Sequence, residues 1–400
     1  MPTFHFPIRR KIMGYRLTRR GLFSAGAGVA AVGLAGCTTT TSATAAAAEA
    51  TGAFPAEASG PALFGPEAGL ALLSRNENPY GPAPSALKMI SKAAEKGAYY
   101  TNQEAIVTLN KLIADRHGVS PEQIVITTGS GEALSALALI YGPKGPIVAP
   151  RLFWDTTALY AAKLGMAEII RVPLTEDMDM DLAAIDAAIT PETGMVQLCN
   201  PNNPTGIAMP GSVIRAAVSK MAAKTTVVVD EAYIELVDDE ASMTCVPLIK
   251  EGKDVIVTRT FSKIYGMAGI RVGYTISSAE TAEKIRYTQM SWTPCTSIAA
   301  AIGCYDDTAF LDYSKSKIVE AREMITTTLD ALDLKYLKSQ TNFVYFQSGM
   351  PANDLAKAMA AEKISIRGQY MDYVPWSRVS TGKIQDVERF CKALPRLVNA

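Results

Sequence analysis

Histidine is almost missing from this chain. Among 400 residues there are two, His5 and His117. His5 falls in an N-terminal segment of targeting type, and the one usable histidine left argues against a Ser-His-Asp hydrolase and against a multi-histidine metal site. His117 follows Asp115 and Arg116 and precedes Gly118, which reads as a solvated histidine at a helix C-terminus. The cysteines are Cys37, Cys199, Cys245, Cys295, Cys304 and Cys391, and no two have C-x-x-C spacing. No zinc cluster is therefore expected, and a chain of this length needs no disulfide scaffold. Net charge is missing too: Lys plus Arg is 39 and Asp plus Glu is 39. A balanced chain has no global attraction to nucleic acid or to an acidic membrane. Internal repeats are also absent.

What is present begins with an address. Residues 16–37 read RLTRRGLFSAGAGVAAVGLAGC. Basic residues lead into an apolar stretch too short to span a bilayer, followed by small residues. Arg19 and Arg20 with Phe23 behind them resemble a twin-arginine export signal. Leu34-Ala35-Gly36-Cys37 resembles a bacterial lipobox, whose cysteine is lipidated; an ordinary cleavage site near the Ala run 45–48 is the competing reading. The expected location is therefore outside the cytoplasm, in the periplasm, with a lipid anchor if Cys37 is modified. The Thr- and Ala-rich residues 38–60 read as a flexible tether.

From about residue 75, short β-branched runs alternate with helical patterns. The runs are Ile124–Thr127, Ile147–Ala149, Glu168–Val172, Met195–Leu198, Thr226–Val229, Val255–Thr258 and Gly273–Ile276. Near-continuous apolar strands alternating with helices such as Glu132–Ile140 and Ser212–Ala222 predict a mainly parallel seven-stranded sheet covered on both faces. Ligands of such sheets sit at the carboxyl ends of the strands. Beyond about residue 280, long helices (Ala279–Met290, Ser297–Cys304, Ser314–Leu332) and strands near Phe343–Phe346 and Ser365–Arg367 precede a last helix near Ile384–Val398. The expected organisation is an export signal over 1–37, a tether over 38–60 and an N-terminal arm over 61–74. A large α/β domain over 75–280 and a smaller α+β domain over 281–400 complete it.

Three polar segments fall where strand runs end: Asn200–Gly206, Asp230-Glu231-Ala232-Tyr233, and Thr260-Phe261-Ser262-Lys263 leading to Gly266–Arg271. Each alone is unremarkable, as a turn, a pair of solvated acids or a solvated lysine. In this order and spacing they resemble the fold-type I aminotransferases that use pyridoxal 5'-phosphate (PLP), and most closely the histidinol-phosphate aminotransferase branch. Arg75–Pro82, Thr128–Ala133 and Arg378-Val379-Ser380 carry the resemblance further, over about residues 70–385.

The resemblance implies a role for each residue. Lys263 would hold the cofactor as a Schiff base and, once displaced by substrate, move a proton between the substrate Cα and the cofactor. Asp230 would face the pyridine nitrogen and keep the ring an electron sink. Asn203 and Tyr233 would donate to the ring's 3'-oxygen and tune the Schiff base. Ser130, Gly131 and Glu132 open a helix directly after a strand, so their N–H groups would meet the phosphate, joined by Thr260, Ser262 and Arg271. Trp154, or failing it Phe153, would stack on the ring, although Pro150–Asp155 departs from the family's spacing. Tyr100 would reach the partner subunit's cofactor phosphate in a homodimer with shared sites, here without the family's usual Tyr-Pro-acid. Arg378 and Arg367 would grip an anionic group of the substrate, with Tyr80 and Asn342 close by.

The activity implied is transfer of an amino group from an amino acid or amine to a keto or aldehyde acceptor in ping-pong half-reactions. A decarboxylase or carbon–sulfur lyase on the same scaffold is the alternative, since which Cα bond stands perpendicular to the ring decides the outcome. A non-catalytic exported binding protein is opposed by the intact Asp230, Lys263 and Arg271. A PLP-dependent transcription factor is opposed by the lack of a helix-turn-helix segment before the fold. Export argues against histidine synthesis, whose intermediates are cytoplasmic, and leaves an aromatic or other specialised amine open as substrate.

Overall fold

The structure, a computed structural model, describes residues 62–398. The export-type segment 1–37 with His5 and Cys37, and the tether 38–60, lie outside the described residues. The strands are β1 (Ala71–Leu73), β2 (Ile124–Thr127), β3 (Ile147–Pro150), β4 (Ile169–Val172), β5 (Met195–Cys199), β6 (Val227–Asp230), β7 (Val255–Thr260), β8 (Gly273–Ile276), β9 (Phe343–Gln347), β10 (Ile364–Ile366) and β11 (Trp376–Ser380).

β2 to β8 form a seven-stranded sheet in the order β2-β8-β7-β6-β5-β3-β4. β3 to β7 pair in parallel, and β8 runs antiparallel between β2 and β7. All strands except the edge strand β4 are buried along their whole length. That burial explains runs such as Val227–Val229: a strand covered on both faces has no solvent side to make polar. The chain leaves β5, β6 and β7 at the same edge of the sheet, and β8 enters there, with Gly273 opposite both Thr260 and Thr127. Every polar segment singled out above is thereby delivered to one rim.

β9 pairs antiparallel with β11, and β10 pairs in parallel with β1. The expected division at residue 280 is displaced. Ile298, Ala301, Cys304, Phe310 and Ile318 pack into the core under the seven-stranded sheet. Ala321, Ile325 and Leu329, farther along the helix that carries Phe310 and Ile318, pack into a separate core with Val344, Phe346, Phe390 and Leu394. That helix, Thr308–Ala331, has 24 residues, about 36 Å at 1.5 Å per residue, enough to serve both cores. The second core also takes Ala71 and Leu73, because β1, expected as part of an arm, completes a sheet with β10. His117 ends helix Gln103–His117 before a left-handed Gly118, as expected. It is half-buried rather than freely solvated, however: its Nε2 lies 3.1 Å from the Tyr274 hydroxyl, and burial drives its pKa down.

Candidate active site

A cavity of about 610 Å³ opens at the carboxyl rim of the large sheet, and Asn203, Asp230, Tyr233, Thr260, Ser262, Lys263 and Arg271 line it. Strand geometry sorts the side chains. Neighbours on a strand point to opposite faces, so Asp230 faces the cavity while Glu231 turns away to Arg259, 2.8 Å from its guanidinium. Thr258, two residues before Thr260, donates its hydroxyl to Asp230 Oδ1 at 2.9 Å. One carboxylate of the Asp-Glu pair is thus committed to a buried ion pair and the other is offered to a ligand.

Burial sets the proton affinities. Asp230 is 4% exposed, and its desolvation pushes the pKa up to about 6 against the Thr258 hydrogen bond and the charge of Lys263. Lys263 is pushed down to about 8, first by burial and then by the positive charge of Arg378, with Asp230 and Glu77 opposing. A lysine so depressed carries a usable fraction of free amine near neutral pH. Its Nζ donates to the Asn76 carbonyl at 3.1 Å and lies 5.3 Å from the Tyr233 ring centre. Burial drives the Tyr233 pKa up, so its hydroxyl keeps its proton.

At the other end of the cavity helix Ser130–Tyr141 begins. Its N-cap, Gly129, has φ 78° and no side-chain cap, so the first N–H groups are available to an anion. A Cβ on Gly129 would sit 2.3 Å from Arg271 Nη2, and one on Gly131 would lie 3.9 Å from both Arg271 Nη2 and Trp154 Cη2. Helix N-terminus, guanidinium and indole therefore converge where side chains are missing. Thr260 donates its hydroxyl to Ser262 Oγ at 2.9 Å. Trp154 is half-buried and lines the cavity; Phe153 lines it too but is 5% exposed, with its ring under the Arg171 guanidinium.

The wall contributed by β11 and β10 is cationic and aromatic. Arg367 and Arg378 exchange backbone hydrogen bonds of 2.9 Å across an isolated bridge, which sets their side chains beside each other. Tyr370 lies under both guanidinium carbons, at 5.1 Å from Arg367 and 5.4 Å from Arg378. Arg378 donates to Asn203 Oδ1 at 2.6 Å and to the Ser74 carbonyl at 2.9 Å, while its Nε is buried with no partner among the described residues.

Some expected positions differ. Glu132 is not a lining residue: its N–H bonds the Gly129 carbonyl, and its carboxylate accepts the Thr128 N–H at 2.5 Å. Tyr80 is not in the cavity either, because its hydroxyl caps the helix at Ile384, 3.0 Å from that N–H. Asn342 is fully buried behind the cavity wall, where its amide donates to the Asn76 carbonyl at 2.9 Å. Tyr100 lies outside its own chain's cavity, 85% exposed and 5.9 Å from the Trp292 ring. Ser74, Arg75, Asn76, Gln369, Tyr370 and Met371 line the cavity without having been assigned a role. Arg75 and Asn76 belong to the Arg75–Pro82 motif, so the sequence carries a signal for them; residues 369–371 lie in a loop with none.

The cavity fits the phosphate-bearing pyridine cofactor that the resemblance implies. Its lining places a buried carboxylate, an amine, and an uncapped helix start beside a guanidinium, with an indole between. Among the described residues, no group of three or more His, Cys, Asp or Glu is arranged to hold a metal ion.

A family model described as aminotransferase class I and II matches residues 69–394. A histidinol-phosphate aminotransferase of Halalkalibacterium halodurans is 33% identical over 314 residues, 78% of this chain and 84% of its own length. Histidinol-phosphate aminotransferase 1 of Dechloromonas aromatica is 33% identical over 328 residues, 81% of this chain and 89% of its own. Among solved structures, the histidinol-phosphate aminotransferase of Sinorhizobium meliloti in complex with pyridoxal-5'-phosphate aligns with a TM-score of 0.76 at 30% identity, covering 82% of this chain and 91% of that one.

Proposed function

The chain belongs to the class I and II aminotransferases, a PLP-dependent transaminase, and from that premise we propose how its residues divide the work. The carrying observation is that Lys263, Asp230 and Arg271 line one cavity at the rim of the sheet.

Bound PLP supplies an electron sink for the carbanion formed when the substrate Cα loses its proton. Lys263 would bind it covalently and, as a free amine, would carry the proton to and from the substrate Cα; without cofactor its pKa is pushed down to about 8. Asp230 would hold the ring nitrogen by a buried charge-assisted hydrogen bond. Tyr233 and Asn203 would meet the ring oxygen. Ser130, Gly131, Thr260, Ser262 and Arg271 would hold the phosphate, and Trp154 would cover the ring. Glu132 contributes by fixing the helix start rather than by touching the phosphate.

Arg378 and Arg367 receive the anionic group of the donor. Supporting this are the Arg378 Nε, which has no partner among the described residues, and the shared Tyr370 ring. Relatives carrying the histidinol-phosphate aminotransferase name also point to a donor with an anionic group. Tyr100 acts in trans within a homodimer. The exposed side chains of Tyr99, Tyr100, Tyr287, Met290 and Trp292, with the Tyr100 ring 5.9 Å from the Trp292 ring, support that reading, since large apolar surface is normally covered. The chain is exported folded and loaded through its twin-arginine segment, and Cys37 carries the lipid if the lipobox is used; among the described residues no helix is long and apolar enough to cross a membrane.

A screen of amino donors followed by mass measurement of the cofactor product tests the reading. Stoichiometric pyridoxamine phosphate is expected with a productive donor. Release of carbon dioxide or a thiol without it would assign the chain to decarboxylation or elimination instead.

A further inference from the structure

Asn76 is 2% exposed, and every polar atom it owns is engaged. Its N–H donates to Ser380 Oγ at 2.9 Å, and its Oδ1 accepts from that same hydroxyl at 2.7 Å. Its Nδ2 donates to the Tyr233 hydroxyl at 3.1 Å. Its carbonyl accepts from Lys263 Nζ at 3.1 Å and from Asn342 Nδ2 at 2.9 Å. The backbone φ is 56°, in the left-handed region where asparagine is among the few side-chain-bearing residues at ease. That turn lets carbonyl and side chain serve different partners around one cavity wall.

Ser380 donates its single hydroxyl hydrogen to Asn76 Oδ1, and the other end of the amide, Nδ2, is the donor to Tyr233. That donor occupies a lone pair of the Tyr233 oxygen. The phenol then cannot donate back to Asn76, and its own hydrogen is free to point elsewhere. No acceptor for it exists among the described residues, and Tyr233 lines the cavity.

We propose that Asn76, held by Ser380, is a positioning residue that aims the Tyr233 hydrogen at the cofactor's ring oxygen and gives the displaced Lys263 amine a fixed resting place on its carbonyl. The inference rests on the roles assigned above to Lys263 and Tyr233 and extends them by one layer. A hydrogen bond donated to the ring oxygen stabilises its negative charge. The lysine–cofactor nitrogen beside it then loses its proton at lower pH. Without the bond, that nitrogen keeps its proton to higher pH.

Two substitutions separate the parts. Asn76→Asp keeps size and backbone but replaces the donor by an acceptor, so Tyr233 turns its hydrogen toward residue 76. Asn76→Gly keeps the left-handed backbone and the carbonyl but removes the amide. In the PLP-loaded protein, titration of the cofactor's absorbance should show its pKa higher by about one pH unit in Asn76→Asp, the size expected for one lost hydrogen bond to a charged group, and higher by less in Asn76→Gly, where the Tyr233 hydrogen is no longer aimed but meets no competing acceptor. In the cofactor-free protein, the pH dependence of Lys263 labelling by an amine reagent should be unchanged in Asn76→Gly, because the carbonyl remains. Should Asn76→Asp not accumulate as folded protein, Ser380→Ala carries the same test, with a rise in the same direction. Wild-type and variant absorbance titrations that superimpose would overturn the inference alone. A wild-type protein with no titrating absorbance would instead overturn the Lys263 assignment beneath it.

Discussion

The depressed Lys263 pKa makes a quantitative prediction about when this amine reacts. At a pKa of about 8, roughly a tenth of the residue is neutral at pH 7, against about 0.03% for a lysine at its ordinary value, a gain on the order of 300-fold. The first cause is burial, which no single substitution removes. The second is the positive charge of Arg378, and the charge of Asp230 works against both. Arg378→Met should therefore raise the Lys263 pKa and Asp230→Asn should lower it, each by about one unit for a nearby charge in a partly screened interior. The assay is competitive labelling of the cofactor-free protein by an amine reagent, with the Lys263 peptide quantified by mass spectrometry across pH 5–10. The sign is fixed: a lowered lysine pKa means reactivity climbs tenfold per pH unit only up to about pH 8 and then levels. Arg378→Met should move the break upward and cut labelling at pH 7 about tenfold. Lys263 reactivity that rises unbroken through pH 10 in the wild type, or breaks that do not separate in the two variants, would refute the electrostatic account.

Further predictions concern the walls of the cavity and its support. Arg259 and Glu231 are each 1% exposed and paired at 2.8 Å; Arg259→Met strands Glu231 and should cost about 3–5 kcal/mol, seen as a melting temperature lower by roughly 5–10 °C, and an unchanged melt would contradict this. Tyr370→Ala removes the ring shared by Arg367 and Arg378; KM for an anionic donor should rise about tenfold with kcat little changed, whereas a loss confined to kcat would argue against a binding role. Trp154→Ala should speed PLP dissociation by about 3–10-fold, measured by absorbance after dilution, and no change would transfer the stacking role to Phe153.

The strands and the rim residues were legible because their information is local. A buried parallel strand is a short apolar run, and the chemistry follows at its carboxyl end, so Asp230, Thr260, Ser262 and Lys263 could be placed from sequence alone. Residues whose setting depends on distant partners could not. Asn76 meets Tyr233 and Ser380 across 157 and 304 positions, and nothing near Asn76 announces either. Tyr80 and Asn342 were expected beside the substrate for their polar groups, yet one caps a helix and the other sits behind Asn76. His117 looked solvated at a helix end until the fold brought Tyr274 against it. The division between the two cores was misplaced because it falls inside a continuous helix, where periodicity does not change.

The central claim is that the amine of Lys263 is the one that takes the cofactor. Borohydride reduction of the PLP-loaded protein followed by peptide mass mapping tests it directly. The account predicts a single reduced cofactor adduct, on the peptide containing Lys263, and none in Lys263→Ala. An adduct on another lysine, or undiminished transamination by Lys263→Ala, would contradict it.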